Sequence, residues 1–209
     1  VKLLLAFGLS INAALADNSA KIGYVSDFFY RGDQKALESV QASVDLGTSF
    51  SGLDASLHAC TNQSVDQGYD SYRFAAGLGK SLGDLLSVYG GFNHFEDVAG
   101  EAISEIELRV SLNTLGNPSV SAFRDTSDDL YTFEGSLSHS FDVQFADLSV
   151  RGSIGNTDAT ASDNTTYYSV GLGLSRALGS ATIGAGVDLV DADDIDREFV
   201  FGTALTFNF

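Results

Sequence analysis

Tryptophan and methionine are absent from these 209 residues, proline and cysteine occur once each, and lysine plus arginine total 11 against 28 aspartates and glutamates. Each shortage excludes something. The lone Cys60 cannot close an intramolecular disulfide, so no disulfide framework holds the chain. It reads as a small half-buried residue rather than a reactive thiol. A formal net charge of −17 argues against nucleic acid as a partner, because phosphate binding draws on Lys and Arg. The same charge is compatible with metal cations or cationic solutes, and also with a surface kept acidic for solubility alone. After the first residues, no segment approaches the roughly 20 apolar residues of a spanning helix. The single Pro118 suits long paired strands, since proline removes a ladder hydrogen bond. Glycine at 22 residues argues against a helical protein, because it is costly inside helices. The length suits one domain.

What is present starts with a short basic segment, Val1-Lys2, and an apolar run from Leu3 to Leu9, followed by the small-residue site Ala14-Leu15-Ala16. This pattern predicts a signal peptide over residues 1–16 and a mature chain of 17–209 starting near Asp17. The Val in first place reads as an alternative start codon translated literally. The other readings, a first strand or a helical anchor, fit less well: the run lacks alternation and is too short to span as a helix. An exported chain without spanning helices is either a soluble periplasmic or secreted protein or a β-barrel.

Alternation recurs along the remainder and predicts twelve strands, near 21–31, 39–50, 53–62, 70–80, 85–95, 104–112, 118–124, 130–140, 147–155, 166–177, 181–190 and 198–209. A count of ten stays open, because 21–31 is apolar on both faces, 85–95 is broken by Gly90-Gly91, and 118–124 is short. The strongest strands carry a continuous apolar row, such as Ile106, Leu108, Val110 and Leu112, with no charge in mid-strand. Connections alternate between short ones (Ser51-Gly52, Leu178-Gly179-Ser180) and longer polar ones (Gly32 to Glu38, Asn156 to Thr165, Asp191 to Arg197). Short periplasmic turns against longer outer loops, with an even strand count, is the pattern of outer-membrane barrels, and it puts both termini in the periplasm.

A secreted β-sandwich would also have one apolar face. The opposite faces discriminate: Ser169, Gly171, Gly173 and Ser175, or Thr182, Gly184 and Gly186, are small, which suits the crowded inside of a narrow barrel. The expected fold is therefore all-β, a transmembrane antiparallel up-and-down barrel. The closing segment Phe199 to Phe209 alternates, with Phe199, Phe201, Leu205, Phe207 and Phe209 on one face. It resembles the C-terminal strand of bacterial outer-membrane barrels, which implies that these residues are an assembly signal read by the barrel assembly machinery. Phe50, Tyr69, Tyr72, Tyr131, Phe133, Tyr167, Tyr168 and Phe207 fall toward strand ends as an interfacial girdle, with Tyr and Phe in place of Trp.

The stretch Ser26-Asp27-Phe28-Phe29-Tyr30-Arg31-Gly32, then Val40-Gln41-Ala42-Ser43-Val44-Asp45, then Ala55 to Asn62, resembles the TorF family of porin-like proteins. His58 lies near the family's usual Trp position, Thr61-Asn62 stands for its Ser-Asn pair, and the proline common before the second strand is missing. The resemblance covers the first third of the mature chain. It implies an outer-membrane barrel in a Gram-negative bacterium and brings no catalytic residues.

If the apolar rows face lipid, then Asp27, Arg31, Asp45, Asp54, His58, Arg73, Glu105, Glu107, Arg109, Glu134, Arg151 and Asp188 line the lumen. Twelve strands leave a narrow interior. Acids outnumber bases there, which predicts a mildly cation-preferring pore for passive diffusion of small hydrophilic solutes. The competing readings are a salt-bridge network that plugs a structural or adhesive barrel and, less well supported, a lipid-modifying enzyme. The acidic run from Asp188 to Asp196 lacks the Gly and terminal Glu of an EF-hand loop and reads as a solvated outer loop, so no metal site and no cofactor is assigned. His139 has serines on both sides in sequence, but strand neighbours point to opposite faces, so no nucleophile–base pair forms there. His58 shares a face with Ser56 without a recognised motif, and His94 lies near a loop. No enzymatic activity is assigned. The expected surroundings are outer-membrane lipid and lipopolysaccharide.

Overall fold

A computed structural model describes residues 18–30, 33–65, 70–98, 102–127, 130–157, 165–193 and 195–209. The segment read as a signal peptide lies outside these residues, as do Arg31 and Tyr69. The described residues form fourteen strands: β1 Ser19–Val25, β2 Phe28–Tyr30, β3 Asp33–Ala36, β4 Ser39–Phe50, β5 Leu53–Ser64, β6 Ser71–Leu82, β7 Leu86–Asp97, β8 Ala102–Leu112, β9 Ser119–Asp125, β10 Tyr131–Asp142, β11 Asp147–Thr157, β12 Thr165–Leu178, β13 Ala181–Ala192 and β14 Ile195–Asn208. Twelve of them close into an antiparallel barrel, in which each strand pairs with its chain neighbours and β1 closes the ring between β14 and β4. Twelve is thus the strand count of the wall, and the three segments that left ten open all pair.

Turn chemistry sets the register at one end. Ser51 and Gly52 both take positive φ, 52° and 76°, which is the two-residue hairpin geometry matched to strand twist. The β12–β13 turn places Gly179 at φ 68°. This end also holds residue 18 and Phe209, whose N–H donates to the Asn18 carbonyl (3.0 Å).

The structure departs from the expected strand at 21–31 in one important way. The wall strand stops at Val25, because Ser26 ends its pairing with β14: its N–H donates to the Phe201 carbonyl, while its side-chain hydroxyl, not its carbonyl, accepts the Phe201 N–H (3.0 Å). The chain then leaves the wall, and β2 and β3 pair only with each other. Gly32 to Glu38, read as an outer loop, is therefore mostly the second half of this hairpin. Phe28 and Ala36 are buried with Phe95 of β7, while Phe29 is buried with Val25, Val190 of β13 and Val200 of β14. In the ring, β13 and β7 are six strands apart in either direction, on opposite walls. Two adjacent phenylalanines that reach opposite walls place the hairpin across the lumen.

The predicted loop from Asp191 to Arg197 is also shorter than expected. Pairing continues to Ala192↔Ile195 through an irregularity after Val190, so the acidic run is largely strand.

Candidate functional site

Strand alternation divides the wall into two surfaces. Mid-strand outward positions are mostly apolar and about half exposed, as at Leu57 (47%), Leu108 (55%) and Leu172 (50%), with polar outward residues such as His94 and Asp191 toward the loop end. Inward positions carry the polar and ionic side chains, and the barrel interior is the candidate site.

The loop half of that interior is packed. On one wall Arg73 of β6 donates to the Asn93 side-chain oxygen (2.8 Å), and Asn93 donates to Glu107 (3.1 Å). Arg109 closes the chain with a hydrogen bond from Nε to Glu107 (2.9 Å) and an ion pair to the same carboxylate. Gln41 of β4 donates to Asn62 of β5 (2.9 Å). All of these are buried. Burial of such groups is tolerable because each finds a partner; a lone buried charge would be far more costly.

On the facing wall Arg151 of β11 reaches across β12 to Asp188 of β13, with Nε 2.8 Å from one carboxylate oxygen and a second contact to the other, a bidentate pair. Glycines make room for it. A Cβ at Gly171 would lie 1.9 Å from the Asp188 carboxylate, and one at Gly173 would lie 3.3 Å from the Arg151 guanidinium. Tyrosines use the same device: Tyr89 lies over Gly77 and Gly91, where a Cβ would clash with its hydroxyl, and Tyr167 over Gly155, where a Cβ would clash with its ring. Tyr167 donates to Glu134 (2.9 Å), and Arg109 stacks 5.0 Å from the Tyr89 ring centroid. Tyr167 therefore belongs to the interior and not, as its position near a strand end suggested, to an interfacial girdle.

The turn half is different. His58 Nδ1 is hydrogen-bonded to Asp45 (2.6 Å), both only partly buried, and Ser111, Ser119, Ser136, Ser138, Ser149 and Ser153 are likewise half-exposed. Every wall strand contributes at least one buried inward residue to the loop half, from Val25 on β1 and Ser39 on β4 round to Asp188 on β13 and Val200 on β14. Buried inward residues thus fill the loop half of the described lumen, and on the β7–β8 wall burial reaches Arg109, paired with Tyr89 three positions from the turn, while the His58–Asp45 pair and the named serines stay half-exposed.

Of the residues singled out from sequence, Asp45, Asp54, His58, Arg73, Glu105, Glu107, Arg109, Glu134, Arg151 and Asp188 sit on inward strand positions. Asp27 lies in the bend before β2 and accepts hydrogen bonds from Ser26 (2.8 Å) and Gln34 (3.1 Å). Phe199, Phe201, Leu205 and Phe207 share the outward face of β14, with Phe209 exposed just beyond it. Asp188 faces inward whereas Asp191 faces outward to Tyr168 and Arg197, so the acidic run does not converge. His139 is on the outer wall, edge-on to Phe141 at 4.5 Å. Sequence reasoning missed Lys21, which faces inward opposite Ser43, together with Asn93, Tyr89 and the hairpin. Lys21 was legible in principle: Ile22 and Tyr24 face outward beside it.

No family profile and no curated protein matches the chain. Solved structures do. The KdgM porin superposes with a TM-score of 0.61 at 12% identity, over 91% of this chain and 99% of the other. The NanC porin gives 0.60 at 11%, over 92% and 100%. An outer-membrane channel from Pseudomonas putida F1 gives 0.63 at 10%, over 93% and 96%. The chain shares the fold of these outer-membrane barrels.

Proposed function

We propose that this chain is an outer-membrane channel of porin type, passing small hydrophilic solutes by passive diffusion with a mild cation preference. One observation carries the reading: a closed twelve-strand wall presents continuous apolar rows outward through the middle of its strands and gathers most of its mid-strand ionic groups inside. A barrel in water gains nothing from this inversion, whereas hydrocarbon requires it. The short-turn end, with both described chain ends, faces the periplasm in this reading, and the loops face outward. The outward row of β14 with Phe209 serves assembly by the barrel machinery, and lipid with lipopolysaccharide surrounds the wall.

The inward acids Asp45, Asp54, Glu105, Glu107, Glu134 and Asp188 outnumber the inward bases, which supports cation preference. Conduction requires the loop half to open, and the hairpin is the piece not built into the wall. A second reading, a non-conducting shell, draws on the buried pairs Arg109–Glu107 and Arg151–Asp188. Planar-bilayer recording of the refolded protein under a salt gradient tests both. A reversal potential of cation-selective sign is expected; anion selectivity rejects the cation pore, and absence of channel events favours the shell.

A further inference from the structure

Among the described residues, the outer wall carries a polar group on β7 and β8, on a different part of the wall from the outward Tyr168–Asp191–Arg197 group. His94 of β7 and Ser104 of β8 are direct cross-strand partners on the outward face, and His94 Nδ1 lies 2.8 Å from the Ser104 hydroxyl. Glu96, two residues along β7 on the same face, brings a carboxylate oxygen to 3.7 Å from His94 Nε2. That separation is outside hydrogen-bond range; when the carboxylate closes on Nε2 it would hold the imidazole proton there and leave Nδ1 as the acceptor for the serine proton. Nucleophile, base and orienting acid thus stand in sequence, with the loose outer contact common before substrate binds.

His94 also ends an apolar groove of about 700 Å³ on the wall. Its lining includes the small outward residues Ala20, Ala42 and Ala59 and the aromatics Tyr72, Phe74 and Phe207. It crosses from β7 to β14, descending from the loop end toward the turn end. His94 lies three residues below the end of β7, roughly 8 Å along the membrane normal for a tilted strand. If the wall strands span the hydrocarbon, this places His94 toward its outer edge, the region of lipid acyl esters. Arg124 is paired with Ile106, diagonal to Ser104 on the same face and within reach of a long side chain. The register puts a cationic side chain on the same face, diagonal to the serine.

We propose that Ser104 and His94 form a lipid-facing acyl-ester hydrolase site, with Glu96 as positioning residue and the alanine-lined groove as the seat of the acyl chain. Ser104 Oγ attacks the ester carbonyl carbon while its proton passes to His94. The tetrahedral adduct breaks its bond to the alcohol oxygen, and the departing deacylated lipid takes that proton. Water then attacks the acyl-serine, giving its proton to His94; the fatty acid leaves, and Ser104 regains its hydrogen. The net reaction is one ester and one water to one alcohol and one acid.

The site is independent of the proposed channel, so conductance and hydrolysis can fail separately. The test incubates the refolded protein with phosphatidylethanolamine vesicles in one arm and lipopolysaccharide in the other, and measures released fatty acid. Barrel formation is checked by heat-modifiable gel mobility, and Ser104 is probed by a fluorophosphonate with peptide mapping. Expected results are release that Ser104→Ala and His94→Ala reduce by roughly 10²-fold or more. His139→Ala should retain full release, and Glu96→Gln should lower kcat with KM little changed. Release in one arm only assigns the ester to that lipid. Equal release by Ser104→Ala overturns the proposal, as does a folded wild type with neither release nor a Ser104 adduct.

Discussion

Glycine decides where the interior charges can lie. Arg151 and Asp188 meet across β12 only because Gly171 and Gly173 present no side chain between them. The pair is nearly inaccessible, so its worth is asymmetric: removing one partner strands the other charge away from water. Asp188→Ala is expected to destabilise the barrel by about 3–5 kcal/mol in equilibrium urea unfolding from vesicles. Asp54→Ala, at the half-exposed turn end, should change stability by no more than about 1 kcal/mol. Replacing both members of the buried pair with apolar residues should recover most of the loss. Equal effects of Asp188→Ala and Asp54→Ala would show that the pair is hydrated rather than buried.

Among the elements, the β2–β3 hairpin departs most from a plain up-and-down barrel. Its attachments are uneven. On the β14 side it has the two Ser26–Phe201 hydrogen bonds, the Gln34–Glu198 hydrogen bond (3.3 Å) and the apolar cluster around Phe29. On the β7 side the packing around Phe28 and Phe95 is apolar. Replacing residues 27–36 with a Gly-Ser linker should leave the twelve wall strands paired and raise single-channel conductance several-fold. Unchanged conductance would locate the closure in the buried wall network instead. The element was legible as strand but not as plug. Both faces of Phe28-Phe29 are apolar, which fits equally a wall residue between lipid and core and a piece packed on both sides inside a lumen.

At the scale of the whole molecule, the outward row sets the environment. Leu172, near the middle of β12, stands half exposed among Val170 and Leu174, also outward. Leu172→Arg should lower unfolding stability in lipid vesicles by about 2–4 kcal/mol, the cost of a guanidinium near the bilayer midplane. If the wall faces water, the same substitution is close to neutral. The His94–Ser104–Glu96 group belongs to the same surface but lies near its loop edge, where polarity is far less costly.

Period-two alternation determined where most wall strands lie, which face of each turns inward, and the small-residue interior, because a side chain's face follows from its parity along a strand; that β1 pairs with β4 past a hairpin was not in it. Parity carries no information about which distant strands confront one another across a lumen. The hairpin's place between β7 and β13 was therefore decided only by barrel closure, and the Arg151–Asp188 pair over bare glycine and the meeting of His94 with Ser104 by the register of neighbouring strands. Those contacts depend on shear between strands and on where Ser26 ends a ladder, which are properties of the assembled sheet.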